Sequence, residues 1–213
     1  MVSFDRARIR AVIYDCDGVL VDSVESNRAY YNHILARFGL PGVTQSQMDL
    51  VLTGTGRSVL EALFKGSPFA EAAREYQLQL PADVFLDLVK PEPHVHEVLR
   101  QLRTGGCRTA VATNRGKSLI PLLGMLGMKE LFDVLVSSND VTRNKPDPEC
   151  LLIILKGFAL APDEALYVGD SDVDRETAAR AGTPFAAYKN LSLKADLHLH
   201  AHTDLVKVLV PGC

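Results

Sequence analysis

Two carboxylates directly follow an apolar run near the start of the chain. Residues 9–14 (IRAVIY) are typical of a buried strand, and Asp15-Cys16-Asp17-Gly18 comes directly after them. Ionised side chains are costly to bury unless they meet a cation, a hydrogen-bond donor or a substrate. Gly18 allows the backbone to turn tightly beside a ligand. Taken alone, the D-x-D-G pattern also fits a solvated strand end or a fragment of a calcium-binding loop, so the rest of the chain decides its meaning.

The second half of the chain alternates between predicted helices and short apolar strands. After a first strand at 9–15, strands are predicted at 108–112, 134–136, 165–168 and 184–188. Helices are predicted at 95–102, 119–126, 148–156 and 174–181. Such alternation is typical of an open parallel sheet with helices on both faces. The pattern therefore predicts an α/β fold with a Rossmann-like parallel sheet.

Residues 22–90 interrupt this alternation. Apolar residues recur there at helical spacing, around 30–38, 59–64, 69–80 and 84–89, and no strand is predicted. We expect this block to be a helical cap domain inserted after the first strand. Residues 1–21 and 91–213 would then form the α/β core domain.

Polar side chains follow the later strands, as they follow the first. Because ligands bind at the carboxyl ends of parallel strands, we expect these side chains to meet at one edge of the sheet. Each of these polar side chains, taken alone, could also have a purely structural role, as a helix cap, a surface charge or one of a capping pair. Together, the carboxylates suit a hard cation, and the lysine and hydroxyl suit phosphoryl oxygens. The residues are Thr113, Asn114, Lys145, Asp170 and Asp174, in addition to Asp15 and Asp17.

In their order along the chain, these clusters resemble the four motifs of the haloacid dehalogenase superfamily of phosphotransferases. The resemblance runs from about residue 9 to residue 188, and the block at 22–90 resembles the small helical cap of that superfamily. Residues 20–23 (LVDS) and 54–60 (GTGRSVL) are most similar to the phosphoglycolate phosphatase group. Dehalogenases lack the second acidic residue of the first motif. Since Asp17 is present, dehalogenation is not expected.

The resemblance implies a magnesium-dependent phosphatase acting on a small phosphorylated metabolite, with phosphoglycolate as the default substrate. Asp15 would attack phosphorus and form an aspartyl-phosphate, which divides one difficult displacement into two. Asp17 would protonate the leaving oxygen and later accept a proton from the attacking water.

The same resemblance implies a ligand set for Mg²⁺. The ion would be bound by Asp15, the backbone carbonyl of Asp17, and Asp170. Asp174 would either bind the ion directly or support one of these ligands. The groups that bind the phosphoryl oxygens would be Thr113, Asn114 and Lys145.

Arg57 lies in the glycine-rich stretch of the predicted cap, where we expect a loop. It has two readings, a surface residue near a helix start or a contact for a carboxylate or second phosphate on an acidic substrate. A β-phosphoglucomutase-like phosphomutase and a sugar-phosphate phosphatase would retain the same core residues, so both remain alternatives. A non-catalytic binding module is disfavoured, because the catalytic carboxylates and Lys145 are all retained.

Composition argues against several partners. The net charge of −3 and the lack of a basic run speak against nucleic acid and membrane surfaces, and no apolar stretch is long enough to span a bilayer. The mixed, charged residues 1–10 do not resemble a signal peptide. Four scattered cysteines without a C-x-x-C pair (Cys16, Cys107, Cys150 and Cys213) indicate reduced thiols. We expect a cytoplasmic monomer or homodimer whose partner is a small-molecule phosphate ester.

Three histidines alternate near the C-terminus. His198, His200 and His202 would share a face if they lay on one strand, and could then bind a metal. Because the surrounding segment is polar and has no nearby cysteine, we instead expect a solvated tail.

Overall fold

The computed structural model describes residues 5–209, and a six-stranded parallel sheet forms the centre of this part of the chain. Its strands lie in the order β5-β4-β1-β6-β7-β8, and a separate pair, β2 with β3, runs antiparallel. The predicted α/β fold with a parallel sheet is confirmed. The strand bounds are β1 (Ala11–Tyr14), β2 (Val21–Asp22), β3 (Lys90–Pro91), β4 (Arg108–Ala112), β5 (Val134–Val136), β6 (Ala165–Gly169), β7 (Phe185–Tyr188) and β8 (Leu197–Leu199).

The four helices predicted in the second half are present, with ends that differ by one or a few residues. The helix expected at 174–181 begins earlier because the Ser171 hydroxyl accepts a hydrogen bond from the backbone N–H of Asp174. The helix expected at 84–89 is only a short 3₁₀ turn, Leu86–Leu88. The helix bounds are α1 (Val24–Arg37), α2 (Met48–Thr53), α3 (Gly56–Leu63), α4 (Ala70–Gln79), α5 (Val95–Thr104), α6 (Leu119–Met125), α7 (Glu149–Phe158), α8 (Asp172–Ala181) and α9 (Thr203–Leu209).

The sheet is buried on both faces. In β1, Val12 and Tyr14 contact the cluster that contains α5, α6 and α9, whereas Ala11 and Ile13 contact the cluster with α7 and α8. All four residues of β1 are buried, which explains why this strand reads as a continuous apolar run rather than as an alternating one.

The helices α1–α4 lie between β2 and β3 and enclose an apolar cluster of their own, drawn from residues 31–80. Because Asp22 pairs with Lys90, this helical segment leaves and rejoins the rest of the chain at one point. The strand Lys90–Pro91 was not predicted, since two residues are too short to show any periodicity.

Two side chains from the loop after β4 connect the helical segment to the sheet. Asn114 donates from Nδ2 to the carbonyl of Thr53 at 3.0 Å, at the end of α2. Lys117 Nζ donates to the carbonyl of Leu80 at 2.6 Å, just past the end of α4. The helical segment therefore lies over the carboxyl edge of the sheet.

The expected solvated tail is wrong. Residues 197–199 add the edge strand β8, α9 packs against the sheet, and His202 is fully buried. His202 Nε2 lies 2.8 Å from the carbonyl of Val19, and its ring stacks on Tyr188 with centroids 4.5 Å apart. His198 instead contacts the carbonyl of Leu193. Polar residues dominate this stretch in the sequence, but the apolar residues between them pack into the core.

Three of the four cysteines belong to the part of the chain that the structure describes. Cys16, Cys107 and Cys150 are buried free thiols, and Cys213 lies outside the described residues. Within residues 5–209, none of the helices combines the length and the apolar character that crossing a membrane requires.

His202 generates a prediction on stability against pH. Burial lowers the pKa of His202 from 6.5 to about 4, despite its hydrogen bond to Val19. Between pH 4 and pH 6.5 the unfolded chain binds a proton at His202 that the folded protein does not bind. The free energy of unfolding therefore has its full value above pH 6.5 and decreases as the pH falls towards 4. The full effect is about 3 kcal/mol.

The measurement is the free energy of unfolding in urea at pH about 7 and about 4.5 for the wild type and His202→Gln. The loss of stability between these two pH values should be smaller in the variant by roughly 2–3 kcal/mol. Equal losses in the two proteins would show that His202 is not held neutral by the fold.

Candidate active site

The carboxyl ends of β1 and β6 bring carboxylates together, and two glycines make room for them. Gly18 has a φ of +77°, and a Cβ there would lie 2.1 Å from Asp170 Oδ2. At Gly169 a Cβ would lie 2.3 Å from the Cβ of Asp174. Only glycine therefore allows the two acidic loops to approach this closely.

Lys145 is the cation at the centre of the site. Its side chain is only 3% exposed, and Nζ lies 2.9 Å from Asp15 Oδ1 and 2.7 Å from Asp174 Oδ1. The hydroxyl of Tyr167 is 2.9 Å from the same nitrogen. Burial alone would lower the pKa of Lys145, but the charges of Asp15 and Asp174 outweigh it and raise that pKa above its ordinary value. The lysine is therefore a fixed positive charge.

Asp15 follows β1, and its backbone N–H donates to the carbonyl of Val168 at 2.9 Å. Its buried Oδ1 meets Lys145 Nζ and no other donor of the described residues. Burial raises the pKa of Asp15 to about 7, with Lys145 opposing the shift and Asp174 adding to it. A buried carboxylate with a single cationic partner retains acceptor capacity for a group from outside the chain.

Three carboxylates form a group that could hold a metal ion. Oxygen atoms of Asp15, Asp170 and Asp174 all lie within 4.8 Å of one another. Burial, followed by the charges of Asp15 and Asp174, raises the pKa of Asp170 to about 8. Both oxygens of Asp174 already accept hydrogen bonds, Oδ1 from Lys145 and Oδ2 from Ser171. An all-oxygen donor set whose charges repel one another fits a hard divalent cation, with Asp15 and Asp170 offering the freer oxygens.

The carboxylate of Asp17 does not join that group. Arg115 donates from Nε to Asp17 Oδ2 at 3.0 Å and from Nη2 to Oδ1 at 2.5 Å. Burial alone would raise the pKa of Asp17, but Arg115 outweighs it and holds that pKa below its ordinary value. The predicted metal contact of Asp17 concerned its backbone carbonyl, and it stays a prediction.

Thr113 and Asn114 follow β4 and are buried in the same site. The Thr113 hydroxyl accepts a hydrogen bond from the backbone N–H of Arg115 at 3.1 Å, and its own proton remains available. The side chain of Asn114 is already occupied, because Nδ2 contacts the carbonyls of Thr53 and Lys145 and Oδ1 accepts from the N–H of Lys145. Only the backbone of Asn114 is left for a phosphoryl group.

A cavity of about 390 Å³ connects these residues to the helical segment, and Asp15, Asp17, Thr113 and Lys145 line its inner end. Arg57 lines its outer part, but not from the expected loop. It lies in the first turn of α3, whose start is capped by Thr55, and its Nε is 2.7 Å from Glu61 Oε1.

Two arginines outside the predicted site, Arg74 and Arg115, also line this cavity. The signal for Arg115 was present, since it directly follows the Thr-Asn pair at a strand end. Tyr167 was also missed, because a tyrosine inside an apolar strand reads as core.

Comparisons with known proteins agree with this geometry. The family model for haloacid dehalogenase-like hydrolases matches residues 12–188. An N-acetylmuramic acid 6-phosphate phosphatase from Pseudomonas aeruginosa is 32% identical, over 86% of this chain and 83% of the relative. A phosphoglycolate phosphatase from Aquifex aeolicus is 29% identical, over 94% of this chain and 97% of the relative.

A solved structure is similar over nearly the whole length of both chains. The crystal structure of a HAD-superfamily hydrolase of subfamily IA from Geobacter sulfurreducens has a TM-score of 0.77 and 36% identity, and covers 95% of this chain and 97% of its own. The chain therefore belongs to the haloacid dehalogenase-like hydrolases, which confirms the resemblance inferred from its motifs.

Proposed function

We propose that this protein is a magnesium-dependent phosphatase that hydrolyses a small phosphorylated metabolite through an aspartyl-phosphate. The observation that carries the proposal is Asp15, a buried carboxylate that lies against a fixed ammonium group and two further carboxylates and lines a cavity. The named phosphatases among the relatives support the same reaction. Three buried free thiols are in keeping with a cytoplasmic protein.

In the first half-reaction, an Asp15 oxygen attacks phosphorus in line with the leaving oxygen. The phosphorus–oxygen bond of the ester breaks as the carboxylate–phosphorus bond forms. Arg115 holds Asp17 ionised in the free protein, so Asp17 takes up a proton when the substrate binds and then gives that proton to the leaving alkoxide. Lys145, the Thr113 hydroxyl and the backbone N–H of Asn114 bind the equatorial oxygens, where charge spreads in the transition state.

In the second half-reaction, Asp17 accepts a proton from water as that water attacks phosphorus. The bond between Asp15 and phosphorus breaks, inorganic phosphate leaves, and both carboxylates return to their starting state. Asp17 thus acts once as an acid and once as a base.

The metal site of this proposal consists of Asp15, Asp170 and the backbone carbonyl of Asp17, with Asp174 held behind them by Lys145 and Ser171. A bound Mg²⁺ offsets the repulsion between the carboxylates and the phosphate dianion and orients the phosphoryl group.

The helical segment, residues 22–90, acts as the cap that selects the leaving group. Its size and its position over the sheet edge favour a small molecule over a phosphoprotein. The substrates that the relatives' names give, phosphoglycolate and N-acetylmuramic acid 6-phosphate, are both acids. We infer an acidic leaving group, with phosphoglycolate as the first substrate to assay. The phosphatase is favoured over the phosphomutase alternative because the two relatives named above, at 32% and 29% identity, are named phosphatases.

Replacing the two catalytic carboxylates should have different effects. Asp15→Asn should abolish turnover and any covalent phosphoryl-enzyme, because an amide is not nucleophilic enough to attack the ester. Asp17→Asn should slow turnover by about two to four orders of magnitude, as expected for a lost general acid–base. Phosphate release by purified, folded Asp15→Asn at more than trace rates would contradict the covalent mechanism.

Activity should require Mg²⁺ and depend on Asp170. Asp170→Ala should raise the Mg²⁺ concentration needed for half-maximal activity or remove activity, and Ca²⁺ should inhibit because its larger coordination shell misplaces Asp15. The control is Asp172→Ala, since Asp172 is exposed and pairs with Arg175. Full activity in excess chelator, or the same Mg²⁺ dependence in both variants, would contradict the assigned site.

Arg57 should affect only acidic substrates. A guanidinium that binds a substrate carboxylate makes a paired, charge-assisted contact, so Arg57→Ala should lower kcat/KM for phosphoglycolate roughly ten- to hundredfold. Hydrolysis of 4-nitrophenyl phosphate should barely change. Arg37→Ala, on the same segment but outside the cavity lining, should affect neither substrate. Equal losses on both substrates would assign Arg57 a structural role beside Glu61.

A further inference from the structure

We propose that Arg115 is the positioning residue for Asp17, so that the orientation of the acid–base depends on the loop that binds the phosphoryl group. The proposal rests on the function proposed above. Its basis is a fork of two parallel hydrogen bonds, in which one edge of the guanidinium, Nε and Nη2, meets the two oxygens of the carboxylate at 3.0 and 2.5 Å. This geometry fixes both the position and the plane of the carboxylate, which a lysine cannot do.

Arg115 is itself held in place. Its side chain is only 7% exposed, and Nη1 donates to the Ser118 hydroxyl at 3.1 Å. Its backbone N–H donates to the Thr113 hydroxyl oxygen, so the proposed phosphoryl-binding residue and the guanidinium belong to one hydrogen-bonded turn. Residues 113–118 therefore carry a rigid connection from the phosphoryl group to Asp17.

The carboxylate of Asp17 takes its orientation from side-chain contacts at the edge of the cavity. Asp17 is followed by Gly18 in a tight turn, and its carboxylate faces a cavity rather than a packed core. Proton transfer requires the acid within hydrogen-bond reach of the leaving oxygen, and small misplacements are costly. When one oxygen of Asp17 carries the proton for the leaving group, the other can still accept from Arg115. One of the two hydrogen bonds from Arg115 is then lost, and the other still holds the side chain of Asp17.

The test uses two esters of nearly the same shape, phenyl phosphate and 4-nitrophenyl phosphate. Phenolate is the poorer leaving group and depends on a proton from Asp17, whereas nitrophenolate departs without one. Arg115→Ala should lower kcat/KM for phenyl phosphate roughly ten- to hundredfold and for 4-nitrophenyl phosphate less than about threefold. Arg115→Lys keeps a charge beside Asp17, which protects folding, and should show a smaller loss with the same selectivity.

A double variant separates positioning from a direct role. If Arg115 acts through Asp17, Arg115→Ala combined with Asp17→Asn should be no slower on phenyl phosphate than Asp17→Asn alone. Additive losses, or equal losses on the two esters in Arg115→Lys, would overturn the assignment and leave the proposed function intact. A wild-type protein that releases no phosphate from either ester with Mg²⁺ would overturn the proposed function and, with it, the role of Arg115.

Discussion

The ammonium group of Lys145 is the interaction on which the site depends. Three ionisable carboxyl groups crowd the carboxyl edge of the sheet, and a buried lysine lies between Asp15 and Asp174 at 2.9 and 2.7 Å. Without that charge, two carboxylates would be buried with no cation of the protein to offset them. The lysine also holds the pKa of Asp174 below its ordinary value, although burial alone would raise it.

The ion pair between Asp17 and Arg115 gives the two aspartates that follow β1 different surroundings. Asp15 lies among carboxylates, and its pKa is raised to about 7. Asp17, two residues later, turns to Arg115, and its pKa is lowered. One strand end thus presents two carboxyl groups in different electrostatic surroundings. The glycine that follows Asp17 makes the close approach of Asp170 possible.

Much of this arrangement could be predicted from the sequence, because it depends on strand ends. Asp15, Thr113 and Asp170 each directly follow an apolar run, and parallel strands place such residues at one edge. The contacts that depend on side-chain direction could not be predicted. Nothing in the local pattern shows that Arg115 reaches back to Asp17, or that Asn114 uses its side chain on the helical segment. The burial of His202 was likewise missed, since it results from packing across the sheet rather than from the residues beside it.

The most direct test of this account is the free energy of unfolding of Lys145→Met, measured in chelator and compared with the double variant Lys145→Met/Asp174→Asn. Removing one partner of a buried ion pair leaves an uncompensated charge, so the single variant should lose about 3–5 kcal/mol. Neutralising Asp174 in that background should recover part of the loss, because one of the two unpaired carboxylates is gone. A single variant as stable as the wild type would contradict the claim that Lys145 holds the carboxylates together.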